Sequence, residues 1–337
     1  MQYTVTACQI ALSSCYGTDG VYQPAVLERN LAHIDEFVRA QHTRAPSRLY
    51  LLPEFSLQGW SLGVPLEQWN ASAVSIPGPE TERLGSLARE VGAYVAGTAF
   101  EVVPEYPGRH FLTGYLIAPD GSVVLRYRKT YAVSAKTRPG DVYRSYVERF
   151  GRESLFPVVA TPLGRIGMVI AWDAIFPETT RALAMRGAEV ILHPLGSARI
   201  PAEAGTGYEC YRRARAFENV AYFVSANFGP LDSTRDSAGA RWPSEVVDFE
   251  GRVIAAADTD GECGVSATVD LAALRAHRAK PIRNWLAHLQ PQLHAPDYAA
   301  AKLWPLSRWD ERPMQSAKEL LEVEAEVWRT MRDSGAL

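Results

Sequence analysis

The sequence predicts an α+β fold built in layers, and three observations point there. Apolar strands are joined in some places by tight turns and in others by amphipathic helices, so hairpins and crossovers share one chain and a purely doubly wound sheet is excluded. No linker of adequate length divides residues 1–280. Of the 337 residues, 47% are apolar and 22% charged, enough apolar material for a sizeable core.

The elements follow in order. "YTVTACQI" (3–10) alternates as a strand does, and "AVLERNLAHIDEFVRAQH" (25–42) puts Leu27, Leu31, Ile34 and Val38 on one helical face. "RLYLLP" is a short apolar strand ending at Pro53 and Glu54; "ETERLGSLAREV" is a second amphipathic helix and "AYVAGTAF" a strand. "FLTGYLIA" and "SVVLRYRK" flank "PDG", a hairpin signal. "FPVVATPLGRIGMVIAW" folds back on itself at 162–165. A helix from about Pro177 stops at Gly187, a residue suited to a left-handed helix end. "AEVILHP" is a strand, "YECYRRARAFEN" a helix in which Cys210 is expected to pack as a small apolar residue, and "VAYFVSAN" a strand. "SEVVDFEGRVIAAA" turns at Glu250 and Gly251. From Asp270 the chain reads as helical and then irregular. Residues 281–337, carrying Trp285, Trp304 and Trp309, form a C-terminal extension expected to pack on the main body or on a partner subunit.

Composition removes several function classes. The formal net charge is −3 with both signs interspersed, so no nucleic-acid partner is expected. No apolar run is long enough to span a bilayer, and the N-terminus reads as a first strand and not an export leader. Cys8, Cys15, Cys210 and Cys263 lack metal-type spacing, which suits reduced thiols in a cytoplasmic protein. The seven histidines form no metal pattern, and no phosphate-binding loop is present. A small-molecule substrate, with no metal and no cofactor, is the expectation.

Three strand ends carry the candidate chemistry: "LLPEFSLQGW" with Glu54, "LRYRKTY" with Lys129, and "GMVIAWDAIFPE" (167–178) with Ala171. The last reads as a buried strand, a sharp turn and a helix start. Such an elbow usually presents a nucleophile, yet its apex here is a methyl group.

In this order and spacing, and with "RALAMRGAEVILHP", "RRARAFENVAYFVSAN" and "VVDFEGRVIAAA", the chain from about Tyr3 to about Leu274 resembles the nitrilase superfamily of carbon–nitrogen hydrolases. The resemblance implies a four-layer α-β-β-α sandwich that associates as a homodimer or higher homo-oligomer. It also implies roles. Glu54 would be the general base and later the acid that protonates the departing nitrogen. Lys129 would stabilise the tetrahedral intermediate, the residue at 171 would attack, and the backbone N–H of Trp172 would be a second oxyanion donor. The family has Cys at the elbow, so Ala171 marks either a Cys-to-Ala variant of a hydrolase or a natural non-catalytic relative. The persistence of Glu54, Lys129, Asp173 and "FPE" favours the first. Many members place a second Glu shortly after the Lys and just before a Pro-Gly pair. The corresponding "AVSAKTRPGDVY" has none, leaving Glu148 or Glu153 to supply it.

The pair Trp172 and Asp173 leans towards amides and away from nitriles by the same resemblance. Carbamoyl hydrolases place arginines just after the elbow; Ala174 and Ile175 stand there, so that carboxylate clamp is absent. Trp60, Tyr131, Trp172, Ile175 and His193 are the candidate pocket wall, suited to an apolar acyl group with one polar head. The resulting expectation is hydrolysis of a small amide, hydrazide or carbamoyl compound. A nitrilase and a catalytically silent binding protein are the alternatives.

Overall fold

The computed structural model describes residues 1–335 except 60, 62, 133–135, 197–206, 232–241 and 302. Its strands, in chain order, are β1 (Gln2–Leu12), β2 (Leu49–Leu51), β3 (Tyr94–Val102), β4 (His110–Ile117), β5 (Val123–Arg128), β6 (Val158–Thr161), β7 (Gly164–Met168), β8 (Val190–Pro194), β9 (Tyr222–Ala226), β10 (Phe228–Leu231), β11 (Glu245–Val247), β12 (Val253–Ala256) and β13 (Cys263–Asp270). The helices are α1 (Pro24–Arg44), α2 (Leu66–Ala71), α3 (Pro79–Val91), α4 (Tyr143–Phe150), α5 (Pro177–Met185), α6 (Gly207–Asn219), α7 (Leu271–Arg278), α8 (Pro291–Ala300) and α9 (Ala317–Asp333).

The strands form two mixed sheets. One runs β10-β1-β2-β3-β4-β5, with β13 antiparallel to β1; the other runs β12-β11-β9-β8-β7-β6. Each sheet is parallel at its centre and ends in a hairpin, β4 with β5 or β6 with β7 and β11 with β12. This is the mixture of crossovers and hairpins read from the sequence. The turns sit where expected, with left-handed glycines at Gly121, Gly164 and Gly251.

Packing follows from which faces are apolar. Leu27, Leu31, Ile34 and Val38 of α1 are buried, as their helical spacing requires, and with α3 they cover the first sheet. Helices α5 and α6 cover the second. Between the sheets the side chains interdigitate closely: a Cβ added at Gly114 of β4 would overlap the sulfur of Met168 on β7. Helix, sheet, sheet and helix make the four-layer α-β-β-α sandwich.

One miss is long: α9 (Ala317–Asp333) is a 17-residue helix where the sequence reads as irregular. Most of the other elements that the sequence reading did not single out are short or weakly patterned. They include α2, α4, β10 and β13, whose burial alternates poorly. One expectation is corrected. Cys210 lies on α6 as read, but on its exposed side and not packed as an apolar residue. A helix with this many arginines has a narrow buried stripe, and Cys210 falls outside it. Among the described residues no helix is long and apolar enough to cross a membrane.

Candidate active site

The centre forms where C-terminal strand ends of both sheets meet. Glu54 follows β2 and Lys129 follows β5 in the first sheet; Ala171 follows β7 in the second. Lys129 Nζ donates to Glu54 Oε1 at 2.7 Å, and the two side chains are 9% and 3% exposed. An ion pair this buried loses hydration that its attraction only partly returns, so it is not explained by stability alone.

Two non-glycine residues here hold positive φ: Phe55 at 56° and Ala171 at 43°. Such backbone is sparsely populated and is kept only where its surroundings over-determine it. At Ala171 the surroundings are visible. A 3₁₀ turn spans Ala171–Ile175, and the Asp173 carboxylate reaches back to accept from the Ile170 N–H at 3.2 Å. The Ala171 carbonyl accepts from His193 Nε2 at 3.1 Å, while His193 Nδ1 accepts from the Ser225 hydroxyl at 2.9 Å. Arg215 donates to the carbonyls of Ala174 at 2.8 Å and Ile175 at 2.7 Å. A sharp, buried, well-braced elbow is therefore built around a methyl group.

The same Asp173 joins the elbow to the lysine. It accepts from the Tyr127 hydroxyl at 2.7 Å, from Thr130 Oγ1 at 3.0 Å, and from the N–H groups of Thr130 at 3.2 Å and Tyr131 at 2.8 Å. These residues flank Lys129, so one carboxylate holds the ends of β5 and β7 together across the two sheets. Burial pushes its pKa up to about 6, against the pull of Lys129 and of these donors. A second cross-sheet tie runs from the Glu54 N–H to the Leu195 carbonyl at 3.3 Å. Gly196 lies against Glu54: a Cβ there would be 2.7 Å from Glu54 Oε2 and 3.0 Å from Phe55 Cδ2.

The remaining candidates divide. Trp172 is 42% exposed at the elbow. Tyr131 stacks on Phe176 with centroids 3.7 Å apart, and Ile175 is half-buried. Trp60 lies outside the described residues. His193 is fully buried beneath the elbow with both ring nitrogens engaged, and burial and the nearby Arg212 lower its pKa to about 3. The geometry thus makes it a brace of the elbow. Glu148 and Glu153, the second-glutamate candidates, are both solvent-exposed, on α4 and in the turn after it. The "AVSAKTRPGDVY" segment itself holds a residue the sequence reading passed over, Lys136, three residues before Pro139. Its side chain is buried, with Nζ 4.9 Å from the Phe55 ring centroid, 5.4 Å from that of Trp69 and 5.5 Å from that of Phe100. Among the described residues no group of three or more His, Cys, Asp and Glu side chains is placed to hold a metal ion.

The site thus sets a buried carboxylate–ammonium pair, Glu54 and Lys129, near a strained and braced elbow at Ala171, groups able to exchange a proton and to stabilise developing negative charge. Residues 4–279 match the carbon-nitrogen hydrolase family model. The omega-amidase NIT2 of Xenopus tropicalis is 30% identical over 217 residues, 64% of this chain and 76% of that protein. The hydrolase in the pqqF 5′ region of Pseudomonas protegens is 31% identical over 251 residues, 73% and 79% of the two chains. Among solved structures, Saccharomyces cerevisiae Nit3, of branch 10 of the nitrilase superfamily, superposes with a TM-score of 0.63 at 22% identity, covering 83% of this chain and 94% of that one. An amidase from Nesterenkonia sp. AN1, bearing a covalent acetamide group at its active-site cysteine, gives 0.63 at 21% identity, covering 87% and 95%. The chain belongs to the carbon-nitrogen hydrolase family.

Proposed function

We propose that this chain takes a small carboxamide, or an amide-like hydrazide or carbamoyl compound, into the site formed by Glu54, Lys129 and Ala171. The observation that carries the reading is the buried Lys129 to Glu54 contact of 2.7 Å at the foot of the braced elbow. With a thiol at position 171, Glu54 would take its proton and the thiolate would attack the amide carbon. Lys129 and the Trp172 N–H would receive the oxyanion, and Glu54 would return the proton to the leaving nitrogen. Water would then cleave the acyl-enzyme to the acid. With Ala171 there is no attacking atom, so the natural chain holds the amide intact. The omega-amidase and amidase names among its relatives support amides over nitriles. The exposed apolar side chains on α5, α6 and the C-terminal extension support association as a homodimer, and the reduced cysteines a cytoplasmic setting.

The test is ammonia release from a panel of aliphatic and aromatic amides, hydrazides and nitriles, comparing the natural chain with Ala171→Cys. Loss of a covalent nucleophile can cost on the order of 10⁶ in turnover. The natural chain is expected to be silent and the variant active, with amides preferred. A folded variant inert towards the whole panel overturns the hydrolytic reading of this pocket.

A further inference from the structure

Residues 281–337 lie beyond the 4–279 matched by the family model, yet they grip the run of chain that leads out of the site. That run, from Lys129 to Asp141, has two anchors. The inner one belongs to the site itself. The Lys129 N–H bonds the Leu112 carbonyl at 2.9 Å, and Thr130 and Tyr131 are held by Asp173. The outer one is supplied by the extension. Ser307 and Trp309 donate their N–H groups to the Gly140 and Asp141 carbonyls, and the Ser307 hydroxyl accepts from the Arg144 N–H at 2.9 Å. Asp310 accepts from the Ser145 hydroxyl at 2.7 Å, and the buried Arg109 donates to the carbonyls of Trp309 and Asp310. Trp304 lies against the Arg138 guanidinium, which closes on Asp141 at 2.8 Å and reaches the Ala132 carbonyl at 3.4 Å. The grip is thus passed back to the residue after Tyr131. Between the anchors sits Lys136, packed on the Phe55 ring beside Glu54.

Ser307 is the strained point of this grip. It is not glycine, yet its φ is 61°. A non-glycine residue keeps such backbone only where its surroundings over-determine it. Here they do. Its N–H and its hydroxyl are both bonded to the outer end of the run, and Trp309, Met314, Leu320 and Val323 fix the chain beyond it in a small core. We propose that the C-terminal extension is a clasp for the ligand-facing run, with Ser307 as its positioning residue. The clasp fixes the outer half of the run, which carries Lys136, against Phe55. This rests on the reading that the Glu54, Lys129 and Ala171 pocket is the ligand site. Because Lys129 and the elbow have their own anchor, loosening the clasp weakens binding and leaves the chemistry in place.

The experiment compares Ser307→Pro with Ser307→Gly in the full chain. Proline removes the N–H that bonds Gly140 and fixes φ at about −65°. Glycine keeps that N–H, takes positive φ freely and loses only the hydroxyl. In calorimetric titration with propionamide, Ser307→Pro is expected to bind about fivefold or more weakly, and Ser307→Gly within about twofold of the natural chain. A merely stabilising contact would not move the next readout. In an Ala171→Cys background, Ser307→Pro is expected to raise KM for propionamide about fivefold or more, with kcat within about twofold. A folded Ser307→Pro that binds like the natural chain, or one that loses kcat with KM unchanged, overturns the proposal. Should Ser307→Pro not fold, Trp304→Ala, which strips the cover from Arg138, carries the same expectations. Binding of no amide by the natural chain sinks the pocket reading, and hydrogen exchange then decides the clasp alone. The amides of Thr137 and Asp141, bonded to the His110 and Arg138 carbonyls, are expected to exchange about tenfold or more faster in Ser307→Pro. Exchange unchanged from the natural chain overturns the clasp.

Discussion

The carboxylate of Asp173 receives a hydroxyl and a backbone N–H on Oδ2, from Tyr127 and Ile170, and three donors from Thr130 and Tyr131 on Oδ1. Every neighbour is a donor, so an amide in its place sets N–H against N–H in either orientation. Asp173→Asn is expected to lose about 1–3 kcal/mol of stability, the cost of leaving buried donors unmet. Urea unfolding at pH 7 checks this, and a variant as stable as the natural chain would refute it. The pH dependence has a sign. Because the folded pKa of about 6 lies above the ordinary carboxyl value, the group's stabilising contribution is full below about pH 4 and is lost as pH rises through 6. The substituted chain is expected to lack that fall. Asp173 was legible as a member of the elbow motif, but its five partners were not, since four of them come from a strand end some forty residues away. Lys136 was legible even less. A lysine in a loop reads as a surface charge, and only the convergence of Phe55, Trp69 and Phe100 buries it.

At the scale of elements, the site depends on loops from the two sheets approaching to van der Waals contact. Gly196, after β8, is the tightest such approach to the base. Gly196→Ala would press a methyl on Glu54 Oε2 and Phe55, and overpacking of this kind costs about 1–3 kcal/mol. In an Ala171→Cys background it is expected to lower amide turnover at least tenfold by moving the base, on the order of what misplaced catalytic groups lose. Turnover rates of the paired variants would show it, and unchanged turnover would detach Glu54 from the chemistry. The hairpins and the helix stop at Gly187 were readable because their glycines adopt the left-handed backbone that such turns require. The short β10 was not readable, because its pairing with β1 is decided by tertiary packing and not by local pattern.

At the scale of the molecule, the C-terminal extension returns to the segment that carries Lys136. Ser307 and Trp309 donate backbone N–H groups to the carbonyls of Gly140 and Asp141, each at 2.9 Å, and Trp304 lies under the Arg138 guanidinium at 4.6 Å. Trp309 is buried with Met314, Leu320 and Val323 in a small core of its own. Other parts of the same extension stay uncovered: Ile282 is 80% exposed, Leu293 65% and Tyr298 62%, the last bonded to Glu178 of α5. Met185 at the end of α5 and Phe217 of α6 are exposed as well, apolar side chains of the kind a partner subunit covers. A dimer by sedimentation equilibrium at micromolar concentration is expected, with Met185→Glu shifting it towards monomer; a natural chain that sediments as monomer would contradict the assembly.

The central claim is that Glu54, Lys129 and the elbow at 171 form one hydrolytic centre that lacks only sulfur. Ammonia release from propionamide by Ala171→Cys, alone and combined with Glu54→Gln or Lys129→Met, tests it most directly. The predicted result is release by the single variant and a fall of about 10² or more on adding either second substitution. A correctly folded Ala171→Cys that releases no ammonia, or one whose activity survives the loss of Glu54, would contradict the account.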